Sequence, residues 1–310
     1  LKKQLKKGSV KKGFFKKILA FVLNKIKKNT IIQAKKNIIS HYDIGNDFYK
    51  EWLDPTMTYS SGIFLNASEN LHKSQLNKYS AIVKKLNLTD QNVLEIGCGW
   101  GGFISYLMRN TQCTITAITI SEEQYQYCLQ QIKNNNWEHR VKLMCIDYRD
   151  LPTNIQFDAV VSIEMVEALG HEYWDAFFYR VSHLLKKDGE CLIQAITLNL
   201  KNFNTYLNGT DFIRTYIFPG GCLVQLSYLI NNSILSFVDS EEFSYSYIRT
   251  LQIWESHIKV KEKQLSSQYS PEFIRLWLFY LYYSIATFEC KKAQVGHFLF
   301  KNNKKTSDSI

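Results

Sequence analysis

The chain reads as an α/β protein: a doubly wound, mostly parallel sheet of seven strands, with a helical N-terminal lid and an inserted helical cap. Three observations predict this. The stretch VLEIGCGWGG (Val93 to Gly102) is a short apolar run, broken by one acid, that ends in glycines at Gly97, Gly99, Gly101 and Gly102. Such a run makes a buried parallel strand, and turn residues without Cβ let backbone N–H groups approach a ligand. Downstream, strand and helix patterns alternate regularly, as in a parallel sheet with crossover helices. Finally, 310 residues with 45% apolar content can bury one large core with an appended subdomain.

In order along the chain, residues 1–29 form a lysine-rich arm without an acid, whose apolar residues (Phe14, Phe15, Ile18, Leu19, Phe21, Val22, Leu23 and Ile26) form one patch. A helix of this kind either lies on an anionic membrane surface or packs on the main domain. Residues 30–301 are expected to form the main domain. Within it, 30–89 form the lid, where His41 to Phe64 mixes aromatic and polar residues and Gly45 and Pro55 interrupt any helix. Helical spacing returns from Leu71 to Leu86. After the glycine turn a helix starts near Gly101. Thr114–Thr119 reads as strand, Glu122–Lys133 as helix, and Val141–Ile146 and Ala159–Ile163 as strands. Tyr173–Leu185 reads as helix, Lys186-Lys187-Asp188-Gly189 as a turn, and Cys191–Thr197 as strand. Residues 198–232 are an insertion. Ile234–Val238 and Val295–Phe300 read as strands, Tyr247–Lys263 and Pro271–Glu289 as helices, and 302–310 as a polar tail.

The composition excludes several classes. Seven cysteines fall without C-x-x-C or His/Cys ligand spacing, which argues against a zinc site or a disulfide framework and for a reducing, cytoplasmic setting. No apolar run reaches the ~18 residues of a membrane span. The net charge of +10 suits an anionic surface, but nothing motif-like supports nucleic acid as the partner. The glycine spacing fits neither G-x-G-x-x-G nor the P-loop.

What the turn resembles is the (D/E)-x-G-x-G-x-G of S-adenosylmethionine-dependent methyltransferases. More specifically, from about Gln33 to Phe300 the chain resembles the cyclopropane-fatty-acyl-phospholipid synthases and mycolic acid cyclopropane synthases. The resemblance is carried, in order, by HYDIGNDFY, LDPTMTYSSG, VLEIGCGWGG, ITISEEQ, DYRDL, SIEMVEALGHEYW, DFIRTYIFPGG and the Tyr-x-x-Thr-Leu of Tyr247 to Leu251. It implies a Rossmann-like methyltransferase sheet with S-adenosyl-L-methionine as cofactor. Tyr59 and Ser60 would close on that cofactor. The acid Glu95 and the turn Gly97, Cys98, Gly99, Trp100 and Gly101 would lie under its methionine part. Thr119, Ser121 and Gln124 would lie at the ribose, and Tyr148 and Arg149 on the adenine side.

The implied reaction is attack of an alkene on the sulfonium methyl, followed by loss of a proton from the transferred carbon and ring closure. The family assigns proton removal to a bound bicarbonate. Glu167 and Tyr247 match two of its holders, and Ile196 a backbone contact. Three positions depart: Ser61 and Ser284 stand where cysteine is usual, and Gln194 where histidine is. Ser and Gln still donate hydrogen bonds to an anion, but Gln does not titrate. The partners so implied are unsaturated phospholipid acyl chains; the basic arm adds an anionic membrane approached peripherally, and the oligomeric state, a homodimer included, is left open. The alternatives are a methyl-branching fatty-acid methyltransferase, a small-amine N-methyltransferase, or a non-catalytic cofactor binder.

Overall fold

A computed structural model describes residues 45–200, 203–232 and 234–303. The basic arm, the segment through Ile44 (which includes His41) and the end of the polar tail lie outside the described residues. A short helix α1 (Asn46–Lys50) is followed by an irregular stretch and then by α2 (Leu71–Lys85). The stretch between them is ordered by Asp54, whose carboxylate accepts from the backbone N–H groups of Thr56 and Thr58 at 3.0 and 3.1 Å.

Strand β1 (Asn92–Ile96) lies at the centre of the sheet, with β2 (Thr114–Thr119) on one side and β4 (Phe157–Ile163) on the other. β3 (Val141–Cys145) extends the parallel ladder beyond β2. The connecting helices are α3 (Gly102–Asn110), α4 (Glu122–Asn134) and α5 (Trp174–Leu184). β1 shows the continuous burial of a strand covered on both faces: Val93, Leu94, Glu95 and Ile96 are all at most 2% exposed.

β5 runs Leu185–Leu198, longer than the sequence suggests. The expected turn at Lys186–Gly189 is a bulge within it. Phe157 pairs with Leu185 and Ala159 with Glu190, so four residues stand opposite Asp158. Lys186 binds the Asp158 carboxylate at 2.7 Å, and Asp188 and Gly189 exchange backbone hydrogen bonds with Asn302.

The insertion holds α6 (Phe203–Asn208), a π-helical turn (Ile213–Ile217), the two-residue strand β6 (Val224–Gln225) and α7 (Leu226–Ile230). The sheet closes with β7 (Ser236–Glu242) and β8 (Ala293–Lys301). Between them come α8 (Ser244–Val260), α9 (Glu262–Tyr269) and α10 (Pro271–Glu289). Helix α8 ends short of the expected Lys263, and α9 begins after Lys261. The order is β3-β2-β1-β4-β5-β8-β7, with β6 beside β5; among the described residues the sheet has eight strands rather than seven, because β6 is too short to leave a periodic signal. β8 is antiparallel to both β5 and β7. An aromatic-rich cluster built on α1, α8, α9 and α10 packs over the carboxyl ends of the strands, with Trp52, Trp254 and Trp277 all at most 1% exposed.

Candidate active site

Ligands of doubly wound sheets bind at the carboxyl ends of the strands, and here those ends open into a cavity of about 620 Å³. Its first wall is the glycine turn. Gly97, Gly99 and Gly101 have φ of 83°, 53° and 80°, a region that side chains disfavour. The N–H groups of Gly97 and Cys98 both donate to the Ile118 carbonyl at 3.0 Å, which ties the turn to β2. A Cβ on Gly99 would meet nothing within 4 Å, whereas one on Gly97 would approach the Met165 side chain at 2.8 Å. Gly99 therefore presents bare backbone to open space. Trp100 borders the cavity, its ring 4.8 Å from that of Tyr49 and its indole N–H donating to Asn46.

The next strand ends supply further lining. Thr119 donates to Gln124 Oε1 at 2.8 Å, and both border the cavity. Asp147, Tyr148 and Arg149 follow β3. The Arg149 guanidinium grips both Asp147 oxygens, at 2.8 and 2.7 Å, and lies 5.5 Å over the Tyr148 ring. Tyr59 hydrogen-bonds the Tyr280 hydroxyl at 3.1 Å; both line the cavity, as do Ser60 and Ser284.

Two positions expected to touch a cofactor are placed behind the wall. Gly101 is the N-cap of α3, where a Cβ would meet Cys128 Sγ at 3.1 Å. Ser121 caps α4, accepting from the Gln124 N–H.

The second cluster lies where β4 ends. Glu164, at φ 49°, extends its carboxylate to three donors. Oε1 accepts from the Ser61 N–H at 2.9 Å and Gln194 Nε2 at 2.7 Å, and Oε2 accepts from the Tyr247 hydroxyl at 3.0 Å. Three of the groups that the family resemblance places around a bicarbonate, the Ser61 N–H, Gln194 and Tyr247, are thus engaged by a carboxylate of the chain itself. Two corrections follow. Ser61 and Gln194 do not border the cavity. The Ser61 hydroxyl turns away to the Gly62 carbonyl, and Gln194 braces Glu164 from behind. Gln194 pairs in register with His297 on β8, whose Nε2–H donates to Gln194 Oε1 at 3.0 Å. Burial holds His297 neutral, with its pKa pushed down to about 3.

Glu167 accepts from the Ile196 N–H through one oxygen and leaves the other without a donor. Burial, and then the charge of Glu164, raise its pKa to about 8. Glu164 is raised by burial too, but its three hydrogen bonds and Lys78 favour the anion. Both carboxyls are thus raised by burial, Glu167 far enough to hold its proton at neutral pH, while Glu164 has three donors and a lysine that favour its charged form.

Lys78 is a further surprise. It is 0% exposed, and its Nζ donates to Ser60 Oγ at 2.7 Å. Burial lowers its pKa to about 7, against the pull of Glu164, Asp54 and Glu95. Glu95, 2% exposed with one oxygen lacking a donor, is raised by burial to about 8.

Sequence reasoning missed Glu164, Asp147, Lys78 and His297. The first two carry a usable signal, since each is an acid directly after a predicted strand. Lys78 and His297 carry none, because one lies in an ordinary helical pattern and the other within an apolar strand.

A parallel sheet turning antiparallel at β8 and β7, with a glycine turn after β1 facing a cavity at the strand ends, defines a Rossmann-like methyltransferase fold. The chain belongs to the mycolic acid cyclopropane synthetase family, whose sequence profile matches residues 29–298. It is 34% identical over 263 residues to the cyclopropane-fatty-acyl-phospholipid synthase of Escherichia coli K12, covering 84% of this chain and 66% of that one. It is 33% identical over 270 residues to the tuberculostearic acid methyltransferase UfaA1 of Mycobacterium tuberculosis, covering 83% of this chain and 62% of that one. The chain therefore spans slightly under two thirds of the length of these relatives. Among solved structures, the mycolic acid cyclopropane synthase CmaA1 complexed with SAH and CTAB superposes with a TM-score of 0.79 at 26% identity, over 86% of this chain and 98% of that one. Among the described residues no helix is long and apolar enough to cross a membrane.

Proposed function

We propose that the chain transfers a one-carbon unit from S-adenosyl-L-methionine to the double bond of an unsaturated phospholipid acyl chain, forming a cyclopropane ring. The observation that carries this is a single cavity bordered at once by the glycine turn and by the Glu164–Tyr247 cluster, with a largely apolar lining between. Family membership and the E. coli relative support the reaction class.

The residues present fit the cofactor. The bare backbone at Gly99 and the unengaged oxygen of Glu95 suit its methionine end, Thr119 and Gln124 its ribose, and Asp147, Tyr148 and Arg149 its adenine. When bound, the cofactor supplies an electrophilic methyl group. The chain's own residues then have three tasks. Tyr59, Trp100, Phe218 and Tyr280 wall the space with aromatic faces, which exclude water and stabilise a passing carbocation by ~0.5–2 kcal/mol each. Enclosure holds the reacting carbons together. Glu164 takes the proton from the transferred carbon, and the electron pair of that C–H bond closes the ring. The donors Ser61 N–H, Gln194 and Tyr247 that a bicarbonate would need already serve Glu164; no step is derived through that ion. Ser284 borders the space as a small polar wall residue. The lid (residues 30–89), the lipid-pocket insertion (198–232) and peripheral attachment to an anionic membrane belong to the same reading.

The test is mass spectrometry of phospholipids from cells with and without the expressed chain. A gain of one CH₂ in an acyl chain is expected, together with loss of its carbon–carbon double bond, seen as disappearance of the olefinic signal by proton NMR. Methylated amines with unchanged acyl chains would overturn the proposal.

A further inference from the structure

One surface patch departs in chemistry from an ordinary exterior. The solvent stripe of a surface helix is normally polar, yet between Glu272 and Glu289 the only charged residue of α10 is Arg275. Its exposed positions include Phe279 at 51% and Tyr283 at 38%. The insertion brings Tyr216, 64% exposed, and Phe212 against them. The Phe212 ring lies 4.5 Å from Phe279, 5.3 Å from Tyr216 and 6.5 Å from Tyr283. The cluster is continuous with the cavity, because Tyr283 belongs to both, and Ala286 and Cys290 line the cavity toward the same end of α10. Charged groups border the cavity at this end: Arg214 and Lys292 against Asp211.

We propose that Phe212, Tyr216, Phe279 and Tyr283 form a docking face for the headgroup–hydrocarbon boundary of a phospholipid bilayer, seating the cavity mouth on the membrane so that an acyl chain enters without crossing water. The identity of the lipid as substrate rests on the function proposed above. Tyrosine and phenylalanine side by side suit a boundary that is apolar on one side and wet on the other. The excess of cations at the rim complements lipid phosphates. A bilayer, unlike a protein partner, also uses the opening into an apolar cavity.

The test is flotation of the full chain with saturated-chain phosphatidylcholine vesicles at high salt, where the charges of the basic arm are screened. The variants are Phe279→Ser with Tyr216→Ser together, neither of which borders the cavity, and Val260→Ser, 84% exposed on α8, as the control. Expected is a loss of vesicle binding of about tenfold or more in the double variant, none in the control, and unchanged melting temperature and S-adenosylmethionine affinity in both. Wild-type binding that is absent at high salt, or equal in the double variant, overturns the docking face. So does a shift of oligomeric state in the double variant with vesicle binding intact, which would make the patch a contact between copies. Because saturated vesicles are not turned over, vesicle binding without product from unsaturated lipid would sink the proposed function and leave the docking face standing.

Discussion

In the proposed reaction Glu164 is the residue on which the chemistry turns. Its three donors come from the lid, β5 and α8, so three separate parts of the chain converge on one carboxylate. Glu164→Gln keeps the size, loses the charge, and should lower turnover by ~100-fold or more, with S-adenosylmethionine affinity by calorimetry unchanged. Loss of both together would make Glu164 a structural or cofactor-holding group. Because the base must be ionised, activity should fall on acidification, with a midpoint above the usual glutamate value of 4.5. Lys78 lowers that midpoint by its positive charge. Lys78→Met should therefore move the acid limb of the pH–rate profile to higher pH, and an unmoved limb would mean that the lysine only packs. The sequence points to the Glu167 and Tyr247 part of this cluster through SIEMVEALG and the Tyr-x-x-Thr-Leu motif. It does not show that Glu164, three residues before Glu167, takes the central place, because that depends on the backbone turning through positive φ at the end of β4.

The glycine turn and the elements around it illustrate what periodicity can and cannot reveal. Strand β2 and helix α10 have the bounds expected, because both are framed by clear signals: a Ser cap after β2, and Ser270-Pro271 opening α10. The Lys186–Gly189 segment has every local mark of a turn, yet it loops out as a bulge, because its neighbour Asn302 lies far along the chain and offers hydrogen bonds that local reading does not see. Within the turn, the two glycines separate binding from folding. Gly99→Asp projects into open space, so it should abolish S-adenosylmethionine binding while the protein melts cooperatively. Gly97→Val must displace Met165 from a strained φ of 83°, so it should lower the melting temperature as well. Equal affinity in a folded Gly99→Asp would remove the turn from the site.

At the scale of the whole molecule, the buried carboxyls tie stability to pH. Glu167 holds its proton to about pH 8 in the fold, but in the unfolded chain it would lose it near 4.5. Between those values the native state binds more protons, so this group's contribution to stability shrinks as pH rises. Glu167→Gln removes that slope. The melting temperature of the variant minus that of the wild type should increase from pH 5 toward 8 and level off above, by differential scanning calorimetry. A constant difference would show that Glu167 ionises normally. The doubly wound, mostly parallel sheet was legible because it rests on alternating apolar segments; the antiparallel β8 was not, since an apolar run does not encode strand direction. The cavity was not, since its far wall comes from α8, α10 and the insertion, whose packing over the strand ends no local pattern encodes.

The most direct test of the central claim is to incubate the chain with vesicles of monounsaturated phospholipid and S-adenosylmethionine carrying a trideuterated methyl group. Transfer to the double bond, proton removal by Glu164 and ring closure predict a cyclopropane acyl chain whose new carbon has lost one deuterium and kept the other two. A product that keeps the whole trideuteromethyl group, with the double bond intact and the label on a heteroatom, would contradict the account.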